Sequence, residues 1–353
     1  MINSITLNTK DKKSKDDKKG EDIKDNKIGS LVKVDEKELF EWNMDLRKFL
    51  IYSNQQWKKK YPQFRANYQG DKTIGYELAK GIVSIPKQYK RLNSVNYLTE
   101  KVIQELPSKS FVIKETLGHA GNKVLCMNYN NDTKMYNDYL RHKSCKPEPD
   151  ELLRYIKSKL TSDSPLIIEE LLPFTDDIKN NCDNNNDKAK DKAKDKESVE
   201  IKAPPPDYKV YVVNGKVRLI NIYFRLPEGR FEMSFKPNWQ RIPIKNLYQD
   251  IVALNYSDLP ETIKFTLPPE SVRKELLDVS VKLAHAHSAK FARYDFYIIK
   301  DTKKTKESAN YRIVLGEITP LCGGIRNNLL KEKMLRLLFP PNVRRFYKAD
   351  YQR

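Results

Sequence analysis

The sequence predicts an α+β fold built on largely antiparallel sheets, and three features carry that expectation. Asn214-Gly215 separates two apolar-patterned runs, Tyr208–Val213 and Lys216–Phe224. Both central residues of a type I′ turn need positive φ, so this dipeptide is the strongest short-range hairpin signal. A polar run, Asp301 to Asn310, joins two more strand-like segments, Phe291–Ile299 and Tyr311–Thr319. Finally, helical patterns gather before residue 110 and mixed strands and helices follow, which argues against a doubly wound parallel sheet.

Taken in order, residues 1–30 form a Lys/Asp-rich tail too polar to bury a core, and disorder is expected there. Residues 31–109 read as helical. Glu36 to Ser53 carries Leu39, Phe40, Leu46, Leu50 and Ile51 at helix spacing, with Asp35 as a cap, and Lys72–Gly81 and Val95–Leu106 are further helices. Residues 110–172 hold two strands, Ser110–Lys114 and Lys123–Met127, around a glycine-containing loop, then a helix over Asp150–Leu160 and an apolar strand, Pro165–Leu172. Residues 173–205 include NNCDNNNDKAKDKAKDK and read as a disordered insert. Residues 206–353 hold the two hairpins and a strand over Arg230–Phe235. They also hold a long helix over Pro269–Lys290, with Val272, Leu276, Val279, Leu283 and Ala286 on one face. A last helix, Arg326–Leu338, stops before Pro340-Pro341.

Composition narrows the class. No run of 18 apolar residues is present, so no membrane-spanning helix is expected. Four cysteines without paired spacing read as reduced thiols of a cytoplasmic protein. The net charge is +19 and nearly all of it lies outside the two polar segments. That excess fits a surface for something anionic, such as a nucleotide, nucleic acid or an acidic polymer, or simply a solubilising face.

The chemistry concentrates on the last hairpin. Side chains alternate along a strand, so Arg293, Asp295 and Tyr297 share a face, as do Glu317 and Thr319 on the partner. A turn centred near residue 306 sets Asp295 opposite Glu317, with Cβ atoms roughly 4.5–5.5 Å apart. Two carboxylates that close repel unless a cation lies between them, and oxygen donors of this kind suit Mg²⁺. Arg293 would stabilise charge developing beside them. The other reading is a surface Arg–carboxylate network, and a slip of one residue would turn Glu317 away.

Phe111–Lys114 ends in a lysine just before Gly118-His119-Ala120-Gly121-Asn122. Glycines let backbone N–H groups approach phosphates and the lysine adds a point charge, although an ordinary turn has the same appearance. Ile167 to Leu172 is an apolar strand carrying Glu169 and Glu170 near its exit, a pattern that suits an adenine-binding hinge. Lys209 lies on the strand resuming after the insert, within reach of the same cleft. His285 and His287, two apart on a helix, point to different faces and read as structural. Trp239 reads as packing under a loop or as lining the acceptor site, and Arg344 to Lys348 as a solvated end or a contact for an anionic polymer.

In order, FVIKETLGHAGNKVLC (111–126), IIEELL (167–172), DYKVYVVNGKVRLI (207–220), FARYDFY (291–297) and GEITPLCGG (316–324) resemble an ATP-grasp enzyme. The branch they are most similar to is the TupA-like one of teichuronopeptide biosynthesis, over about residues 69–324. The resemblance implies ATP sandwiched between two α+β lobes, the small one spanning 110–172 and the large one 206–353. It implies Lys72 and Lys114 on phosphate, with Gly118, His119, Gly121 and Asn122 closing over it and Lys209 reaching in. Glu169, Glu170 and Leu171 would form the adenine hinge. Asp295 and Glu317 would ligate Mg²⁺ with Arg293 at the reacting centre. The superfamily's usual acid-x-Asn metal pair stands here as Glu317-Ile318-Thr319, which puts Thr319 in the third ligand's place.

The resulting expectation is a carboxylate–amine ligase acting through an acyl phosphate on an unknown acceptor, polymeric or anionic in one reading. A kinase or glycan-modifying transferase on the same fold, and a non-enzymatic basic module binding nucleic acid or anionic polysaccharide, are the alternatives.

Overall fold

Helix α1 (Glu36–Lys60) is the first described element, with Glu36 and Glu38 in its first turn and Lys58, Lys59 and Lys60 in its last, charges that complement the helix dipole. It runs past the expected end because its buried stripe is Trp42, Leu46, Phe49, Leu50, Ser53 and Trp57. Phe40 and Ile51, expected on that stripe, are 53% and 43% exposed. The computed structural model describes residues 36–62, 71–117, 123–141, 143–145, 149–161, 163–175, 177–180, 199–200, 203–248, 257–300, 311–320 and 330–351, all within the unit Glu36–Arg353. The 1–30 tail, the Asp35 cap, the 118–122 loop, the middle of the insert (181–198), the 301–310 turn and residues 321–329 lie outside them.

Helix α2 (Lys72–Ala79) is capped by Asp71, whose carboxylate accepts from the Thr73 N–H at 2.8 Å and its hydroxyl at 2.6 Å. After it comes β1 (Gln88–Leu92), an edge strand that the helical expectation missed. The single helix expected over Val95–Leu106 is instead a 3₁₀ turn, Val95–Tyr97, and helix α3 (Glu100–Gln104). The Thr99 side chain accepts from the Val102 N–H and starts the chain afresh, the local competition that hydroxyl residues bring to helix interiors.

Strands β2 (Phe111–Glu115), β3 (Val124–Asn130), β4 (Met135–Asp138) and β5 (Lys143–Cys145) follow, then helix α4 (Pro149–Lys159) and β6 (Leu166–Glu170). They form a six-stranded antiparallel sheet ordered β1-β6-β2-β3-β4-β5. One face packs Phe111, Ile113, Leu125 and Met127 against Leu152 and Ile156 of α4.

The ends of the 173–205 segment are ordered, contrary to expectation. Strands β7 (Ile178–Asn180) and β8 (Val199–Glu200) join the later β14 (Ile263–Phe265) in a small third sheet. Ile178 is buried in the main core, an apolar anchor that the surrounding polar composition hides.

The large sheet comprises β9 (Asp207–Val213), β10 (Lys216–Leu226), β11 (Gly229–Phe235), β12 (Arg241–Ile242), β13 (Ser257–Asp258), β15 (Phe291–Lys300) and β16 (Tyr311–Thr319). Its order is β12-β11-β10-β9-β15-β16, antiparallel throughout, with β13 joined in parallel to β11. Asn214 (φ 48°) and Gly215 (φ 68°) both take the left-handed region at the β9–β10 turn, as the dipeptide requires. Helix α5 (Glu270–His287) covers one face through Val272, Leu276, Val279 and Leu283 against Val210, Ile220, Ile222 and Phe296. His287 is buried and its Nε2 lies 3.2 Å from the Leu78 carbonyl oxygen, a structural place as expected.

The opposite face of that sheet is divided. At one end Tyr211, Val213, Leu219 and Phe291 pack against α1 and two last helices, α6 (Glu332–Leu338) and α7 (Pro341–Tyr351). At the other, Ile299 and Val314 meet Leu172 from beyond β6. Between the two apolar ends runs a polar belt. Helix α7 replaces the expected solvated end: Pro341 starts it, Val343 and Tyr347 are buried, and Arg344 and Lys348 ion-pair with Asp45 of α1 at 2.7 and 3.1 Å. Those two cations serve the fold. Among the described residues no helix is long and apolar enough to cross a membrane.

Candidate active site

Asp295 and Glu317 are cross-strand partners, as the hairpin arithmetic expects. The route to that register is less simple. Between Asp295 and Phe296 the ladder shifts, so that Phe296 pairs with Leu315 and Tyr297 with Val314. Gly316 is the extra residue of this bulge, and a Cβ there would lie 2.7 Å from the Tyr297 ring and 3.4 Å from the Asp295 carbonyl oxygen. A glycine is therefore required where Glu317 is turned onto the face of Asp295.

Register extends the pair across the sheet. Glu317, Asp295, Lys209, Asn221 and Ser234 lie side by side on β16, β15, β9, β10 and β11, and the neighbouring row holds Tyr297, Asp207, Tyr223 and Glu232. Arg293 grips Asp295 at two points, Nε to Oδ1 at 2.6 Å and an Nη to Oδ2 at 2.7 Å, and donates to Thr319 Oγ1 at 3.2 Å. Lys209 Nζ lies 2.5 Å from Asp207 and 2.6 Å from Asp295. Burial disfavours the Asp295 carboxylate, but Arg293 and Lys209 outweigh it and hold its pKa below the ordinary value. Burial also opposes the charge on Lys209, and Asp207 and Asp295 overcome it, so its pKa is raised. Burial pushes Glu232 up to about 7, against hydrogen bonds from Ser234 and Tyr223 and the more distant charge of Lys209.

The smaller sheet supplies the facing wall. Lys114 on β2 lies 2.5 Å from Glu169 of β6 and donates to the Tyr76 hydroxyl of α2 at 2.6 Å. That hydroxyl is 3.2 Å from both Glu169 Oε2 and the Gly316 carbonyl oxygen. Tyr76 thus ties the small sheet to the bulge that carries Glu317. Lys72, buried at the start of α2, feels Glu317, Lys114 and Glu169 together, and burial lowers its pKa against the pull of Glu317.

Lys72, Lys114, Glu169, Lys209, Arg293, Asp295, Glu317 and Thr319 therefore converge. Glu170 does not: it accepts from the Lys87 N–H at 3.0 Å and pairs with Arg312 at 3.4 Å at the sheet's edge. Leu171 follows the end of β6 where the chain crosses towards the large sheet, and next to it Leu172 packs on Ile299 and Val314. Gly118, His119, Gly121 and Asn122 lie outside the described residues. The sequence reading missed Tyr76, Asp207, Asn221, Tyr223, Glu232 and Ser234. The signal available was polar residues at every second position of β10 and β11, strands otherwise patterned for burial.

For a metal, the donors present are all hard oxygens: the two carboxylates in register and the Thr319 hydroxyl, which approaches Glu317 Oε1 at 3.3 Å. That set fits Mg²⁺, which keeps several waters and needs one or two carboxylates. Among the described residues no group of three His, Cys, Asp or Glu side chains has metal-binding placement.

No family model and no curated protein matches the chain. Solved structures do resemble it distantly. The D-alanine–D-alanine ligase from Bacillus anthracis aligns over 79% of this chain and 69% of its own, at 13% identity and a TM-score of 0.40. The VanG D-Ala:D-Ser ligase from Enterococcus faecalis aligns over 78% and 61%, at 13% and 0.39. The macrocyclase MdnC, bound with precursor peptide MdnA, from Microcystis aeruginosa MRC aligns over 80% and 59%, at 13% and 0.32. This chain spans about six tenths of the length of the last two. Likeness this distant leaves function to the chain's own residues.

Proposed function

We propose that this chain is an ATP- and Mg²⁺-dependent enzyme of the ATP-grasp type, a carboxylate–amine ligase that works through an acyl phosphate. The observation that carries the reading is the Asp295–Glu317 pair, set in register within a polar belt and faced by Lys72 and Lys114. The ordered sequence blocks support it and point to the TupA-like branch. The small lobe would be residues 110–172 with β1 added at its edge, the large lobe 206–353, and the setting the cytoplasm.

Asp295 and Glu317, with Thr319 beside them, would hold Mg²⁺, which supplies neutralising charge to bound phosphates. Lys72 and Lys114 from one wall and Lys209 from the other would bind those phosphates, each a point charge whose present partner is a carboxylate. Arg293, locked by two contacts to Asp295, is pre-oriented to stabilise charge that develops as a phosphoryl group leaves. Glu169 at the exit of β6 and Leu171 just beyond it would form the hinge against the base. The apolar ends of the belt, with Leu172, Ile299 and Val314 at one side, would keep water from the bound phosphates and so strengthen each of these interactions.

The test is ADP release on a panel of carboxylate, amine and sugar acceptors. Phosphate and ADP appearing only with both a carboxylate and an amine support the ligase. A stable phosphorylated product would replace it with a kinase, and nucleotide-independent polymer binding with steep salt dependence would replace the enzyme with a binding module.

A further inference from the structure

The belt continues beyond the residues that the proposed phosphate chemistry uses. Asn221 sits between Lys209 and Ser234 in register, is fully buried, and has neither Oδ1 nor Nδ2 hydrogen-bonded among the described residues. Asp207 Oδ1 is likewise buried without a partner, although Oδ2 of the same carboxylate is held by Lys209. Glu232 lies one row over, 1% exposed, accepting from Ser234 Oγ at 2.8 Å and hydrogen-bonded by Tyr223. Buried polar atoms in a folded protein are almost always satisfied, so three such orphan atoms on one sheet face call for an occupant.

The character of the orphans says what kind. Asp207 Oδ1 and Asn221 Oδ1 are acceptors, Glu232 is a third acceptor when ionised, and only Asn221 Nδ2 is a donor. A group with several N–H donors satisfies the acceptors of that set, whereas an anion would meet only Asn221 Nδ2. We propose that Asp207, Asn221 and Glu232 form a receptor for the primary amine of the acceptor substrate. Asp207 shares β9 with Lys209, and Asn221 and Glu232 extend the receptor onto β10 and β11, away from the Asp295–Glu317 pair. The order across the sheet is then carboxylate pair, phosphate-binding lysine, amine receptor.

This deepens the ligase reading and rests on it for the following step. An amine enters as R–NH₃⁺ and leaves as an amide N–H, so two protons depart. Glu232 takes the first, which frees the nitrogen lone pair to form the C–N bond. The C–O bond to phosphate breaks, and the departing phosphate takes the second. Glu232 is suited to the first transfer because burial places its pKa near neutrality.

The binding claim can be tested without nucleotide. Melting of the full chain is followed with increasing glycinamide, a minimal primary amine, and with its N,N,N-trimethyl analogue, which has no N–H on that nitrogen, at equal ionic strength. The expected result is a concentration-dependent rise with glycinamide, absent with the analogue, lost in Glu232→Gln and Asn221→Leu and retained in Asp295→Asn. Asn221→Asp, equal in size and acceptor-rich, keeps the response and serves if the leucine variant does not fold. No response in the wild-type chain, equal responses to both probes, or a response unchanged in Glu232→Gln overturns the receptor. Loss of ATP turnover in the Asp295→Asn variant is scored separately, so the ligase reading and the receptor fail independently.

Discussion

Replacing Glu232 with glutamine keeps the shape of a buried side chain and removes its proton equilibrium. In the folded chain burial raises the Glu232 pKa from 4.5 to about 7. Below about pH 4.5 the carboxyl is protonated in both folded and unfolded chains and adds no pH dependence to stability. As pH rises from there, the unfolded chain releases a proton that the folded chain retains, so stability falls until the folded group ionises near pH 7. At 1.36 kcal/mol per factor of ten, the gap corresponds to about 3 kcal/mol lost between pH 4.5 and pH 8. Urea unfolding of wild type and Glu232→Gln across that range measures it, and the difference between the two curves cancels the other titrating groups. The variant gains on the wild type by about 3 kcal/mol towards pH 8. A pH-independent difference would refute the burial argument and with it the assignment of Glu232 to a dry part of the belt.

Glu317→Gln removes a negative charge from the pair while leaving the Arg293–Asp295 grip intact, so ATP turnover should fall by about a hundredfold or more with little change in melting; near-normal turnover would remove the metal assignment. Gly316→Ala drives a Cβ into the Tyr297 ring and should cost about 1–3 kcal/mol in urea unfolding while also lowering turnover, because Glu317 is displaced. Tyr76→Phe leaves the Lys114–Glu169 pair but deprives Lys114 and the Gly316 carbonyl of a partner, a loss of about 1–3 kcal/mol readable by the same denaturation. Ile178→Ala should cost about 2–5 kcal/mol, so that removing 178–202 destabilises a chain whose composition there promises indifference.

The strands most legible in the sequence were those with two independent signals. The β9–β10 hairpin had its Asn-Gly turn and alternating neighbours, and β15–β16 had a polar run between apolar ones, but it is the bulge at Gly316, which spacing does not announce, that brings Glu317 opposite Asp295. What escaped were features without a local signature. Edge strand β1 is five residues of mixed polarity whose only reason to be extended is its partner β6. Helix α7 looked like a basic tail because its cations are visible in sequence and their partner, Asp45, is some 300 positions away. Tyr76 was one aromatic residue in a short helix, and its hydroxyl gains meaning only where two sheets approach. Glu232 and Asn221 follow the strand period faithfully, but on a central strand polar alternation marks a cleft rather than solvent, and only the packed structure distinguishes these.

The bulge at Gly316 divides its hairpin into two segments with separate frames of reference. From Lys300–Tyr311 to Phe296–Leu315 the pairing keeps one register, and from Asp295–Glu317 to Arg293–Thr319 it keeps another, offset by Gly316. Chain length near the tip is therefore uncoupled from the alignment of the two carboxylates, much as a sliding scale can be reset without moving its index mark. Natural variation in the 301–310 segment should be tolerated wherever Gly316 and Tyr297 persist together, and substitutions at those two positions should appear only in concert.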